Sequence, residues 1–129
     1  MNINEIAEEA VKLKSSGYNC CQAVAVSFAG EGKLDKDSLR QIAAGFGGGM
    51  GNMEATCGAL IGAGMMAGLK TEGNATVMKS RAIQEKFREK CGAIKCKDLK
   101  KITDGKPLCP CNECVRNAVL AYGEVMNLA

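Results

Sequence analysis

The sequence has no histidine and no tryptophan, and it holds only three phenylalanines and two tyrosines in 129 residues. Without histidine there can be no Cys-His nucleophilic pair, no mixed Cys/His zinc site and no haem attached at Cys-x-x-Cys-His. What remains is thiol chemistry or all-thiolate ligation. With so few aromatics the core must be built from Ala, Val, Ile, Leu and Met, which favours helix packed on helix. The most apolar segment, Ala55 to Leu69, is closed by Lys70 and Glu72 and falls short of the ~20 residues that span a bilayer, so no membrane insertion is expected. The start, Met1-Asn2-Ile3-Asn4-Glu5, lacks the basic flank and apolar run of a signal peptide, and a cytoplasmic setting is expected. A net charge of +3 is too small to argue for nucleic acid. The charge is unevenly spread, because residues 79–106 hold ten Lys or Arg against Glu85, Glu89, Asp98 and Asp104. That stretch reads either as a solvated face of mixed sign or as a dock for an acidic partner.

Against these absences stand eight cysteines and sixteen glycines. The length suits one domain with one core, and the expectation is an all-α bundle of about five to seven helices around a central Gly/Ala-rich helix. That helix is read from Thr56-Cys57-Gly58-Ala59-Leu60-Ile61-Gly62-Ala63-Gly64 and its continuation. Gly58 and Gly62, and again Gly64 and Gly68, lie four apart and would let a neighbouring backbone come close, either within the subunit or across the two-fold axis of a homodimer.

Around it, Asn2 or Asn4 can cap a helix through Ser16, with Gly17 as its stop. Asn19 with Gln22 makes a capping-box pair that opens a second helix, ended by Gly30 and Gly32, and sets Cys20 and Cys21 in its first turn, where the helix dipole would lower a thiol pKa. Asp35 or Asp37 caps a short third helix over 38–44. Asn52 is read as the cap of the central helix, with Cys57 about one turn in. Asn74 opens a fifth helix to Cys91 with Val77, Met78, Ala82 and Phe87 as its apolar positions and Gly92 as its stop. A short helix carries Cys96, residues 104–107 turn, and a last helix follows Cys109-Pro110-Cys111-Asn112-Glu113-Cys114. The glycine-rich run 45–51 matches neither Gly-x-Gly-x-x-Gly nor a P-loop and reads as a tight turn passing close to something bulky.

Cys20, Cys57, Cys96 and Cys114 each fall at or near a helix start, where unpaired N–H groups stabilise thiolate. Cys111 and Cys114 form a Cys-x-x-Cys, extended by Cys109, which permits a redox dithiol or two ligands of one metal; a second such pair is lacking for a zinc ribbon, and a thioredoxin-like site would need a βαβ context. Any single cysteine can equally be inert core.

Gly17-Tyr18-Asn19-Cys20 with Gln22-Ala23-Val24, then Gly45 to Gly51, Cys57-Gly58-Ala59-Leu60-Ile61-Gly62, Cys96 and Cys114 resemble the C_GCAxxG_C_C family, named for redox activity, over roughly residues 10 to 126. The resemblance implies that the family's four cysteines are Cys20, Cys57, Cys96 and Cys114, leaving Cys21, Cys91, Cys109 and Cys111 as extras. The domain is also similar to the helical part of split-Soret cytochromes c, which carry haem and an iron-sulfur centre; lack of histidine argues against haem here and leaves the iron-sulfur site. Three readings follow: an electron-transfer module using a cluster or paired dithiols, with a redox protein or small thiol as partner; a thiol-disulfide or peroxide-handling enzyme with Cys20 or Cys114 as attacking thiolate; and a non-enzymatic metal-binding or structural protein, with Cys109 and Cys111 as alternative local ligands.

Overall fold

A computed structural model describes residues 1–31 and 34–128. It is all-α, with seven α-helices and one two-stranded hairpin among the described residues. Helix α1 (Ile3–Ser15) and helix α2 (Cys20–Ser27) both begin at complete capping boxes, Asn2 with Glu5 and Asn19 with Gln22, each exchanging two hydrogen bonds of 2.9–3.0 Å between side chain and backbone. Such caps satisfy donors that a helix start otherwise leaves open. Helix α2 is buried along nearly its whole length and lies against α1 as well as helices α3 (Lys36–Ala43), α4 (Gly58–Thr71) and α7 (Cys111–Met126). It ends at Phe28, before Gly30, which falls in a short turn over Ala29–Glu31; Gly32 lies outside the described residues. Helix α3 is capped by Asp35, whose carboxylate accepts from the Ser38 N–H at 3.2 Å.

Helix α4 begins later than Asn52. Met50 and Met53 both take positive φ and Gly51 lies at φ 87°, which breaks the helical path. Asn52 accepts instead from the Glu54 N–H, closing a local turn. The chain then runs extended beside residues 94–96: the Cys57 N–H donates to the Ile94 carbonyl at 2.8 Å, the Cys96 N–H donates to the Ala55 carbonyl at 3.0 Å, and Thr56 pairs with Lys95. These tertiary bonds place Cys57 at the N-cap of α4 rather than one turn inside it.

Helix α5 (Thr76–Cys91) starts two residues after Asn74, and its buried positions are Ile83, Phe87 and Cys91. Val77 and Met78, expected in the core, are 82% and 74% exposed. The reason is helical phase: Thr76 and Ser80 face the glycines of α4, continuing the line to Ile83 and Phe87. Gly92 stops α5 in the left-handed conformation, as expected. Helix α6 (Cys96–Leu99) is a single turn, followed by a hairpin of β1 (Ile102–Thr103) and β2 (Lys106–Pro107) around Asp104-Gly105, both at positive φ.

The close approaches foreseen for the α4 glycines occur within the chain. A Cβ at Gly58 would stand 2.8 Å from the Phe46 carbonyl oxygen and 3.4 Å from the Cys21 nitrogen, and one at Gly62 would stand 2.8 Å from the Cys21 oxygen. Gly64 and Gly68 face α5. The stripe is thus used by α2 on one side and α5 on the other. Aliphatic and small residues from α1, α2, α4, α5 and α7 fill the core, with Phe28 and Tyr122 stacked at a tilt, ring centroids 4.4 Å apart. Among the described residues no helix is long and apolar enough to cross a membrane.

Candidate redox site

Three helices begin at one place, each with a cysteine at its first turn or cap: Cys20 on α2, Cys57 on α4 and Cys111 on α7. The short turn α6 adds Cys96. These four cysteines, with Lys14 and Lys100, line a pocket of about 180 Å³. Backbone at Gly48 and Gly58 completes the wall. Cys114, the remaining cysteine of the expected four, is fully buried one turn along α7, behind the pocket.

Glycine makes this convergence possible. Gly58 and Gly62 bring the start of α4 against the backbone of Cys21, next to Cys20. Gly49 lets the glycine-rich turn pass over Cys96, since a Cβ there would stand 2.6 Å from the Cys96 Cβ. Gly47 does the same over the Asn19 side chain, which also donates to the Ala44 carbonyl at 3.0 Å. The bulky neighbours expected for this run are therefore Cys96 and the cap of α2.

The thiols form one connected group. Cys111 faces Cys20, and Cys57 faces Cys114. Cys114 in turn donates to the Cys109 carbonyl at 3.4 Å, and Cys91 lies against both Cys109 and Cys114 while accepting from the Asn117 amide at 3.4 Å. Cys21 stands apart, directed at the Met65 sulfur 3.7 Å away. Lys100 is the cation common to the group; its Nζ donates to the Cys114 sulfur at 3.6 Å.

Protons divide unequally among these sulfurs. The thiol of Cys20, hydrogen-bonded to Cys111, holds the Cys111 sulfur well below the usual thiol range, and the charges of Lys100 and Lys14 assist against burial. Cys20 is pushed up correspondingly, by that hydrogen bond and by burial. Cys57 is raised by its bond to Cys114 and by burial, and the Cys114 sulfur is lowered by accepting from the thiols of Cys109 and Cys57. Burial raises Cys96, and it pushes Cys21 up to about 12. The lowered thiol expected at Cys20 and Cys21 is not found there: the hydrogen bond to Cys111 and burial raise Cys20, burial raises Cys21, and it is Cys111, bonded to Cys20 and beside Lys100, that is lowered. For Lys100, burial pulls the ammonium pKa down, and the Cys114 and Cys111 sulfurs outweigh it and push it up.

A family model described as "Putative redox-active protein (C_GCAxxG_C_C)" matches residues 18–125. The chain belongs to this family. No curated protein and no solved structure matches the chain. The family is named for redox activity, and its description leaves the chemistry to the site itself. Two site residues were not among the four expected. Cys111 was read as an extra of the local Cys-x-x-Cys, although its position directly after Pro110, at the first residue of a long helix, was a signal. Lys100 carried a signal too: it follows Cys96 by four residues, the spacing that sets two side chains on one helical face.

Proposed function

We propose that this protein is an electron-transfer module whose pocket holds an iron-sulfur cluster on Cys20, Cys57, Cys96 and Cys111. The observation that carries the reading is the gathering of four cysteines, two lysines and three helix N-termini around one cavity. The donor set fits such a group, because all ligands are thiols. Among the described residues no group of three or more His, Cys, Asp or Glu side chains is placed to hold a metal ion, so a cluster would draw the pocket cysteines together as it binds. When bound, a cluster supplies reversible one-electron storage. The chain's own part is electrostatic and steric. Lys14, Lys100 and the helix ends favour negative charge at the four sulfurs, and the glycine-rich turn over Cys96 limits access of water. Cys114 stands behind Cys57 as a supporting residue instead of the ligand expected from the family pattern. Purification under anaerobic conditions followed by iron and sulfide analysis and visible absorption tests this: a brown protein with iron and labile sulfide near stoichiometric is expected, and a colourless, iron-free protein refutes it.

One observation favours a second reading, the facing thiols of Cys20 and Cys111 with the negative charge on Cys111. In it the Cys111 thiolate attacks a substrate disulfide, forming a mixed disulfide and releasing one thiolate, which takes a proton from water. Cys20 then gives its proton to solvent and attacks the Cys111 sulfur, leaving a Cys20–Cys111 disulfide and a second free thiol. The partner is a small disulfide or a redox protein. Iron-free protein that yields a Cys20–Cys111 linkage on oxidation would select this reading; iron-free protein that yields none leaves the metal-carrier or structural role.

A further inference from the structure

Behind the pocket lies a second thiol group that the first does not use. Cys91 is the last residue of α5, Cys109 precedes α7, and both are buried with at most 6% exposure. Their neighbours confirm the juxtaposition. A Cβ at Gly92, the residue after Cys91, would lie 3.4 Å from the side chain of Leu108, the residue before Cys109. Cys91 also accepts from Asn117 of α7 at 3.4 Å, and Cys109 is fixed by donating its N–H to the Leu99 carbonyl at 3.0 Å. The segment between them, 92–108, carries Cys96 and Lys100, which are one wall of the pocket.

We infer that Cys91 and Cys109 are a redox clamp: a low-molecular-weight disulfide oxidises them to an internal disulfide that ties off the base of the 92–108 segment and fixes the pocket wall. Fraying of the last turn of α5 exposes Cys91. Its thiol gives its proton to solvent, its sulfur bonds to one sulfur of the reagent disulfide, and the thiolate that leaves is protonated by solvent. The Cys109 thiol then loses its proton to solvent and attacks the Cys91 sulfur, and the second thiolate leaves and is protonated. Two cysteines are oxidised, and one reagent disulfide is reduced to two thiols. Cys114 touches both partners and is the competing nucleophile. The closed loop is long enough that its restriction of the unfolded chain is substantial. The clamp needs no cluster, so it stands or falls separately from the proposed function.

Purified protein is incubated anaerobically with oxidised glutathione, alkylated and digested with trypsin. Cleavage after Lys90 and Lys95 isolates Cys91 in peptide 91–95, and Cys109 travels in 102–116 with Cys111 and Cys114. The expected product is 91–95 joined to 102–116 through Cys109, with Cys111 and Cys114 alkylated, accompanied by a rise of the thermal midpoint of roughly 5–15 °C. Cys109→Ser abolishes both the joined peptide and the rise. Recovery of Cys91 alkylated, glutathionylated or bonded to Cys114 overturns the inference. That map is read on the unmutated chain, so it decides even if Cys109→Ser does not fold. Iron content measured on the same sample reports separately on the pocket.

Discussion

Substituting alanine at Gly62 and at Gly68, two glycines of the same helix, should move stability in opposite directions. Helix propensity alone says both gain, by about 1 kcal/mol each, since alanine costs less backbone entropy than glycine inside a helix. At Gly68 nothing opposes that gain: the nearest atom to an added methyl is the Thr76 Cγ2 at 3.8 Å, an ordinary contact. At Gly62 the methyl would stand 2.8 Å from the Cys21 carbonyl oxygen and 3.1 Å from the Val24 Cβ. Neither is the free end of a flexible side chain, so α2 and α4 must separate. Overpacking of this kind costs ~1–3 kcal/mol. Set against the propensity gain, Gly62→Ala should lose up to ~2 kcal/mol where Gly68→Ala gains up to ~1 kcal/mol. At several degrees per kcal/mol for a domain of this size, the two thermal midpoints should differ by roughly 5–12 °C. Far-UV circular dichroism melts with the thiols kept reduced, backed by urea midpoints at unchanged m-value, make the measurement. Equal stability of the two variants would refute the close approach of α4 to the Cys21 backbone, and with it the route by which Cys57 reaches Cys20.

Cys111→Ser should lose most bound iron while Cys21→Ser retains it, because Cys111 lines the pocket and Cys21 points to Met65; iron per chain after anaerobic purification decides, and equal retention refutes the ligand set. The reduced, metal-free protein should lose stability above about pH 9. Cys20 and Cys57 have raised pKa values and Cys21 one of about 12, so above the ordinary thiol pKa the unfolded chain releases protons that the native chain still holds, and ΔG of unfolding falls with pH. Lowered Cys111 works the other way, adding stability that is complete above the ordinary thiol pKa and lost as pH drops through its own lower value. Urea melts between pH 8 and 10.5 that show no decline would contradict the buried, protonated thiols. Asn19→Ala should cost ~1–2 kcal/mol in thermal melts, since the side chain both caps α2 and reaches the Ala44 carbonyl; a neutral result would mean that the cap does not hold Cys20 in place.

What the sequence made legible was local. Asn19 with Gln22 is a complete signal within four residues, and α2 begins where it stands; of the two candidates Asn2 and Asn4, it is Asn2 that caps α1, with Glu5 completing the box. Gly92 and the 104–107 turn were readable for the same reason, since each needs only its own backbone conformation. Cys57 was not, because its place at the cap depends on hydrogen bonds to residues 94–96, almost forty positions away. Val77 and Met78 misled because apolar character does not fix helical phase; the phase of α5 is set by the small face of α4. Of the four cysteines in the family pattern, Cys20, Cys57 and Cys96 line the pocket beside Cys111, and Cys114 lies behind it. Cys111 and Cys114 are less than one turn apart on α7, and only the burial of the helix decides which of them meets the cavity.

The charge around the pocket bears on which redox chemistry it serves. Lys14 and Lys100 bring two positive charges to it, and the starts of α2, α4 and α7 add about half a charge each. A lone dithiol calls for less: with Cys20 protonated, only Cys111 carries charge among the pocket-lining thiols, and one lysine would balance it. A four-thiolate [2Fe–2S] centre carries a net charge of about −2 when oxidised and about −3 when reduced, close to what the lysines and helix ends supply together. Half-buried Lys100 keeps its proton because the Cys114 and Cys111 sulfurs lie beside it. On this argument the metal-free pocket carries an excess of positive charge, two lysines and three helix ends against the lowered sulfurs of Cys111 and, behind it, Cys114. Loss of the cluster should therefore lower stability in low salt more than in high salt, where counterions screen the excess positive charge.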